Sequence, residues 1–330
     1  TEYDTLIFTG SGTATMEGAI VGCNPPGSKA LVIEGGKFSQ RWGLICERFE
    51  IDCIRHEIEW GTAIDPQVIA DYLEKDPAIS SVILVHSETS TATVCDLEAI
   101  GKITHAAGKL LLADCITSAG ALPLRPDDWH VDVVVSGSQK AFMLPPGLGV
   151  AAVGPRAWET IEKNTSRKAY YLDYSAARKS ALKHDTPYTP ALTLIRGLRM
   201  STAMLLEEGL ENVWKRVAAQ AAATRAAAEA IGMKVFSQRP SDSVTAISVP
   251  ESINEGELRK ALRDTYGMHL AGGQDHLKGK IVRMSHMGYI DVIDTLGVIG
   301  AIEQIAHRLG HPFELGAGLT AAQKVFAEQL

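Results

Sequence analysis

The chain has 330 residues, enough for one large domain and a smaller one with ample core. A formal net charge of −7 and a pI near 5.8 argue against nucleic acid or an anionic membrane surface as partner, and neither a bilayer-length apolar run nor a signal-peptide pattern is present. The five cysteines, Cys23, Cys46, Cys53, Cys95 and Cys115, form no CxxC pair, so no zinc site or disulfide framework is indicated and a reducing, cytoplasmic setting is expected.

Thr5 to Phe8 reads as a strand running into a glycine loop, Thr9, Gly10, Ser11, Gly12 and Thr13, and Ala14 to Val21 reads as a helix. Backbone N–H groups at a helix N-terminus, with the Ser11 and Thr13 hydroxyls beside them, make a ready anion site. A tight strand-to-helix turn that needs glycine is the plainer alternative. Only four residues precede the strand, so a further N-terminal segment is expected ahead of this sequence. The apolar run Ala30 to Ile33 ends in Glu34, about where a dinucleotide-binding fold carries its ribose-binding acid. Thr15 stands where the third glycine of that fingerprint belongs, and dinucleotide binding stays open as an alternative.

Strand and helix patterns then alternate, which predicts a mostly parallel sheet flanked by helices, an α/β fold. Gly36 to Phe49 reads as a loop entering an amphipathic helix, with Phe38 at its entrance. Ile51 to Ile58 reads as a strand, Pro66 to Glu74 as a helix capped by Asp65, and Ser81 to Val85 as a buried strand. That strand delivers His86, Ser87, Glu88, Thr89, Ser90 and Thr91 to its C-terminal end, the edge where open α/β sheets bind ligands. Leu97 to Ala107 is helical, and Leu110 to Ala113 is a strand ending in Asp114, an acid that could equally be a turn residue or N-cap. Val131 to Val135 is an apolar β-branched run, followed by Ser136, Gly137, Ser138, Gln139 and Lys140, the turn Pro145–Pro146–Gly147 and the run Leu148 to Val153. A lysine at the mouth of a buried strand is poorly placed for a solvated surface charge. Desolvation depresses its pKa and makes it a usable amine nucleophile, although an ordinary strand-end lysine remains the alternative.

Beyond it, Tyr170 to Tyr174 is aromatic-rich, and Pro187 and Pro190 break the chain before a long helix, Thr193 to Ile231, with a break near Gly209. A large domain over residues 1–207 and a small C-terminal α+β domain over 208–330 are predicted. Val244 to Val249 and Ile281 to Met284 are strands of the latter, and Glu255 to Tyr266 and Val292 to Leu309 are helices. Arg283 sits inside an otherwise apolar strand, where it needs an anion: a ligand carboxylate or a structural ion pair. His86 and His286 read as scaffold. The final residues, with a short helix over Thr320 to Leu330, read as an appendage.

A lysine and an aspartate at one sheet edge, with a phosphate-type loop after an earlier strand, answer three demands of pyridoxal phosphate. Its aldehyde wants an amine, its pyridine nitrogen an anion, and its phosphate N–H donors. The segments FTGSGTATMEGA, HSETSTATVCDLEAI, LLLADCITSAGALPL and VVVSGSQKAFMLPPGLG then closely resemble class V aminotransferases of the pyridoxal-phosphate fold type I, in the alanine/serine–glyoxylate (serine–pyruvate) group. The likeness runs from about Thr5 to about Ala306, and cyanobacterial proteins labelled as a soluble hydrogenase subunit are similar too. The resemblance implies that Lys140 is the Schiff-base lysine and that Asp114 pairs with the pyridine nitrogen. Thr89 would bond the ring hydroxyl, while Ser11, Gly12, Thr13 and Gln139 hold the phosphate. Phe38 would stack on the ring, in a place where the family often carries Trp. Thr189, and less securely Tyr188, would reach the partner subunit's phosphate in a homodimer, and Arg283 would take the substrate carboxylate. The implied reaction is ping-pong transfer of an amino group from alanine or serine to glyoxylate or pyruvate. A lyase or desulfurase on the same fold and a non-catalytic redox-complex subunit are the alternatives; for the former, no cysteine falls in an obvious active-site loop.

Overall fold

The computed structural model describes residues 1–329. Strands β1 (Asp4–Thr9), β2 (Lys29–Glu34), β3 (Asp52–Glu57) and β4 (Ile79–Val85) are followed by a small hairpin of β5 (Ser87–Glu88) and β6 (Thr93–Val94), then by β7 (Leu110–Asp114), β8 (Val133–Gly137) and β9 (Leu148–Val153). Seven of these form one sheet in the order β1-β9-β8-β7-β4-β2-β3. The block from β8 to β3 is parallel, whereas β9 is antiparallel to both β8 and β1. Two reversals leave β1 pointing the same way as β8. The loop after β1 therefore opens on the same edge as the ends of β4, β7 and β8.

Helices α1 (Gly12–Cys23), α2 (Lys37–Arg48), α3 (Pro66–Lys75), α4 (Leu97–Ala106), α5 (Pro155–Lys163) and α6 (Tyr174–Ala181) cover both sheet faces. The inner strands, β4, β7, β8 and β9, are rich in apolar runs for that reason, such as LLLA in β7. Along β7, Leu110 and Leu112 enter the core shared with Met16, Trp42 and Ile161, while Leu111 and Ala113 enter the one shared with Ile69, Leu97 and Ile100.

Helices α7 (Leu192–Glu208) and α8 (Leu210–Ala230) are separated by Gly209, whose φ of +84° no other residue type adopts readily. They lead to a four-stranded antiparallel sheet, β10 (Lys234–Val235), β11 (Val244–Ser248), β12 (Ala271–Gly272) and β13 (Ile281–Ser285), in the order β10-β11-β13-β12. Helices α9 (Glu255–Tyr266), α10 (Val292–Arg308) and α11 (Ala317–Gln329) complete this part, with a core of its own around Leu258, Val282 and Ile302.

Three departures from expectation have local causes. The strand expected at 131–135 occupies Val133–Gly137, because Asp132 turns inward to accept from the Leu111 N–H at 2.8 Å and Ser136 and Gly137 pair with Val150 and Gly149. Helices α5 and α6 were not expected. Finally, the tail is no surface appendage: Ala322 and Phe326 are buried against Ala219, Ala223 and Ala227 of α8, and the Gly318 N–H donates to Glu303 Oε1 at 2.6 Å. Leu330, the last residue of the helix expected there, lies outside the described residues.

Candidate active site

Lys140 ends a turn that Ser138 pins. The Ser138 hydroxyl donates to the Pro145 carbonyl at 2.8 Å and accepts from the Leu148 N–H at 3.1 Å. The turn is tied to the glycine loop by the Gly10 N–H, which donates to the Gly147 carbonyl at 2.8 Å. Lys140 is half-buried and forms no ion pair among the described residues. Burial first, and then the positive charge of Arg283, push its pKa below the usual lysine value, against an opposing pull from Asp114.

Asp114 closes β7 with 4% of its surface exposed. Its Oδ1 accepts one bond, from the Ile116 N–H at 2.9 Å, and among the described residues no cation pairs with it. Burial raises its pKa to about 7. A carboxylate so placed holds its proton more tightly than usual, and a positive charge brought alongside favours its ionised form.

The loop after β1 presents the N-terminus of α1. Ser11 makes no capping bond, and the first turn of the helix holds no acid. A Cβ at Gly12 would stand 2.4 Å from Ile116 Cδ1 and 3.5 Å from the Ser136 carbonyl, so glycine keeps this wall close to the end of β8. Gln139, which lines one cavity with Gly12, has its Oε1 buried without a hydrogen-bond partner.

Phe38 projects from the first turn of α2, and that turn is held by Glu88. The Glu88 carboxylate, on a residue 5% exposed, accepts from the Ser39 N–H at 2.8 Å, the Phe38 N–H at 3.4 Å, and the N–H and hydroxyl of Ser90 at 3.0 and 2.6 Å. A buried anion at a helix N-terminus satisfies its free donors, and here it also fixes Phe38 beside Thr89. The Thr89 hydroxyl donates to Thr117 Oγ1 at 3.2 Å, and Thr117 donates to the Ser87 carbonyl at 2.7 Å.

Ser11, Gly12, Thr13, Phe38, Thr89, Asp114, Gln139 and Lys140, all singled out in the sequence, line one cavity of about 200 Å³. That exceeds the roughly 150 Å³ that admits a benzene ring. The same cavity brings in Arg41, Ile116 and Thr117, which sequence reasoning passed over, and Ser87, which it had placed at the sheet edge without a role; no cysteine lines it. Arg41 lies one turn past Phe38 in the stretch GGKFSQRW, a helical spacing that could have flagged it. Arg283 reaches the cavity's rim from β13. Its Nη1 donates to the Thr89 carbonyl at 2.8 Å, and its Nε and Nη2 donate to the Gly272 carbonyl at 3.1 and 2.9 Å. No carboxylate pairs with it among the described residues, so the salt-bridge alternative fails. Thr189 stands apart from this cavity, exposed in the 186–190 stretch beside Ile7 and Tyr171, and the Tyr188 hydroxyl donates to the Tyr170 carbonyl at 3.1 Å.

Other residues are accounted for structurally. Arg55 holds the buried Glu34 through two bonds, at 2.6 and 2.9 Å, which removes the acid a dinucleotide would need. Thr15 is buried and donates to the Gly12 carbonyl at 2.7 Å. His86 and His286 are buried, and burial lowers their pKa values to about 4 and about 3, so both are neutral scaffold at neutral pH.

Residues 1–292 match the family described as aminotransferase class-V. The chain is 38% identical to the soluble hydrogenase 42 kDa subunit of Anabaena cylindrica, over 99% of this chain and 86% of that protein. It is 36% identical to a serine–glyoxylate aminotransferase of Methylorubrum extorquens, over 99% and 84% respectively. Among solved structures, pyridoxamine–pyruvate aminotransferase from Mesorhizobium loti superposes with a TM-score of 0.94 at 29% identity, covering 100% of this chain and 86% of that one.

Proposed function

Since the chain belongs to the class-V aminotransferases and is a pyridoxal-phosphate-dependent transaminase of the type I fold, we propose that it moves an amino group from alanine or serine to glyoxylate or pyruvate in two half-reactions. The donor and acceptor classes follow the serine, glyoxylate and pyruvate in the names of its relatives. The observation that carries the reading is an aspartate and a lysine in one cavity, with an arginine at its rim, none of them in an ion pair among the described residues.

The open groups suit the cofactor. The free α1 N-terminus, Ser11, Gly12, Thr13 and Gln139 would hold the phosphate. Asp114, which lacks a cation, would hold the pyridine nitrogen in its protonated form. Thr89 would meet the ring hydroxyl, and Phe38 the ring face. Bound there, pyridoxal phosphate supplies an aldehyde for the amino group and a ring that takes up the electron pair left when the α-proton departs. Arg283 fixes the substrate carboxylate through its planar fork. Lys140, whose proton affinity is lowered by burial, would hold the aldehyde and, as a free amine, would take the substrate's α-proton and return it. Because product leaves before the second substrate enters, double-reciprocal plots are expected to be parallel.

The proposal includes a homodimer in which Thr189 of the partner subunit completes the phosphate site. Support comes from its lining a different pocket from the cavity of its own chain and from exposed apolar side chains in the same stretch of sequence, Leu182, Leu192, Met200 and Leu206. It includes a division into a large domain over 1–207 and a small one over 208–330, supported by two sheets with separate cores and by the break at Gly209. It also includes a cytoplasmic setting, supported by five free cysteines.

The test is the near-visible spectrum of the protein with pyridoxal phosphate, before and after L-alanine or L-serine, beside Lys140→Ala. The expected result is a band that shifts with amino acid and recovers with glyoxylate in the wild type. In Lys140→Ala turnover falls by about a thousandfold or more. A wild-type band that never moves overturns the transamination proposed here.

A further inference from the structure

The phosphate end of the cavity is short of positive charge. A helix N-terminus contributes roughly half an elementary charge, against about two negative charges on a phosphate monoester. The hydroxyls and the Gln139 amide add dipoles only. Two cations line the cavity, Lys140 and Arg41, and Lys140 belongs to the reacting end.

Arg41 is set on α2 so that its Nη1 donates to Thr13 Oγ1 at 3.0 Å, and its guanidinium carbon lies 5.2 Å from the centre of the Phe38 ring. This is its one hydrogen bond among the described residues, which leaves its Nε and Nη2 without protein acceptors. No carboxylate pairs with it there either, whereas Arg55, Arg167, Arg178, Arg216 and Arg259 each have one. A half-buried guanidinium without an anion is costly. Next to the uncapped N-terminus of α1, whose first N–H groups are free, that cost points to an anionic ligand.

We propose that Arg41 is a ligand of the cofactor's phosphate, supplying the positive charge that the glycine loop lacks while Phe38 carries its guanidinium. The inference rests on the pyridoxal-phosphate site proposed above and adds the residue that makes this site select the phosphorylated form. An arginine fork suits a phosphate bidentately, and a charged hydrogen bond of this kind is roughly twice as strong as a neutral one.

The test compares pyridoxal phosphate with unphosphorylated pyridoxal as ligands of the full chain freed of cofactor, followed by near-visible absorbance and tryptophan quenching at equilibrium. In Arg41→Met, the Kd for pyridoxal phosphate is expected to rise about ten- to a hundredfold. The Kd for pyridoxal should change less than about twofold, which also reports an intact cavity. Inorganic phosphate should compete with pyridoxal phosphate in the wild type and far less in the variant, and Arg41→Lys should recover part of the loss. Equal weakening of both ligands would place Arg41 in support of Phe38 instead and overturn the assignment, as would unchanged affinity for both. A wild type that takes up neither ligand would remove the site itself, an outcome distinct from a wild type that binds both equally well.

Discussion

At the N-terminal edge of the central sheet, Asp132 precedes β8 and is buried, yet its carboxylate accepts from the Leu111 N–H at 2.8 Å and faces Arg156 at 3.6 Å. Lys29 and Asp76 pair at the same edge, at 2.9 Å. At the opposite edge Asp114 closes β7, equally buried, with one N–H and, among the described residues, no cation, and Lys140, Arg41 and Arg283 stand nearby without carboxylates among those residues. The two edges share strands, core and burial, so burial alone does not mark function. The difference is that one edge completes its electrostatics within the chain and the other leaves four charges for a ligand to complete. Unpaired buried charge is costly, and at the C-terminal edge that cost is concentrated around one cavity.

The sharpest way to probe this contrast is Asp114→Asn. With a neutral amide the pyridine nitrogen loses its counter-charge, and kcat is expected to fall about a hundred- to a thousandfold, the range for losing one preorganised electrostatic partner. Stability should move the other way. The folded-state pKa of about 7 lies above the unfolded value near 4, so this group's contribution to the cofactor-free protein is intact below about pH 4 and is lost as the pH rises towards 7. Asparagine has no such loss. Melting curves of the cofactor-free proteins should therefore show Asp114→Asn gaining on the wild type between those two pH values; parallel curves would mean that Asp114 is not carrying an unpaired charge.

Next in size is Arg283→Met, which removes the cation at the rim. The expected change is a rise of about ten- to a hundredfold in KM for the amino acid, with a smaller change in kcat and in cofactor affinity. Steady-state kinetics beside a cofactor titration would separate these. A KM that stays put would transfer the carboxylate-binding role elsewhere and weaken the parallel between Arg283 and Asp114.

How much of this was legible in the sequence depended on where each residue sits. Asp114 and Lys140 follow apolar strands in an alternating series, so chain order alone put them on one edge. The glycine loop was legible because turn chemistry is local. Arg41 and Glu88 were given no role, because theirs arise from contacts of α2 with distant parts of the chain: the start of α1 for Arg41, and the β5–β6 hairpin, about fifty residues away, for Glu88. Helices α5 and α6 escaped notice because they are short: only Ala157, Trp158 and Ile161 of the first and Tyr174 and Ala177 of the second are buried, too few to establish a period. The two-residue strands β10 and β12 give no alternation at all. The shift of β8 came from Asp132, whose burial and backbone bond cannot be read from an apolar count.

The smallest expected effect concerns how the unpaired edge is held against the second sheet. The loop after β13, from His286 to Ile290, brings Gly288 against the turn of Lys140: a Cβ there would lie 3.9 Å from the Lys140 carbonyl, and its φ of +96° suits glycine. Arg216 on α8 braces that loop by donating to the Gly288 and Ile290 carbonyls at 3.3 and 3.0 Å, and it is itself clamped by Glu208, the last residue of α7, at 2.7 and 3.0 Å. This paired arginine thus links the strand bearing Arg283 to the turn bearing Lys140. In Arg216→Met the loop loses two charged bonds but no group that meets substrate, so kcat/KM should drop only about three- to tenfold while the cofactor Kd stays near that of the wild type. Glu208→Gln, which keeps the arginine on the loop but weakens its clamp, should fall in the same direction by less. If instead both variants left kcat/KM unchanged, the open charges at the sheet edge would hold their geometry without this brace, and the coupling between the two sheets would have to run through Met287 and its buried neighbours, Leu205, Val213 and Val217.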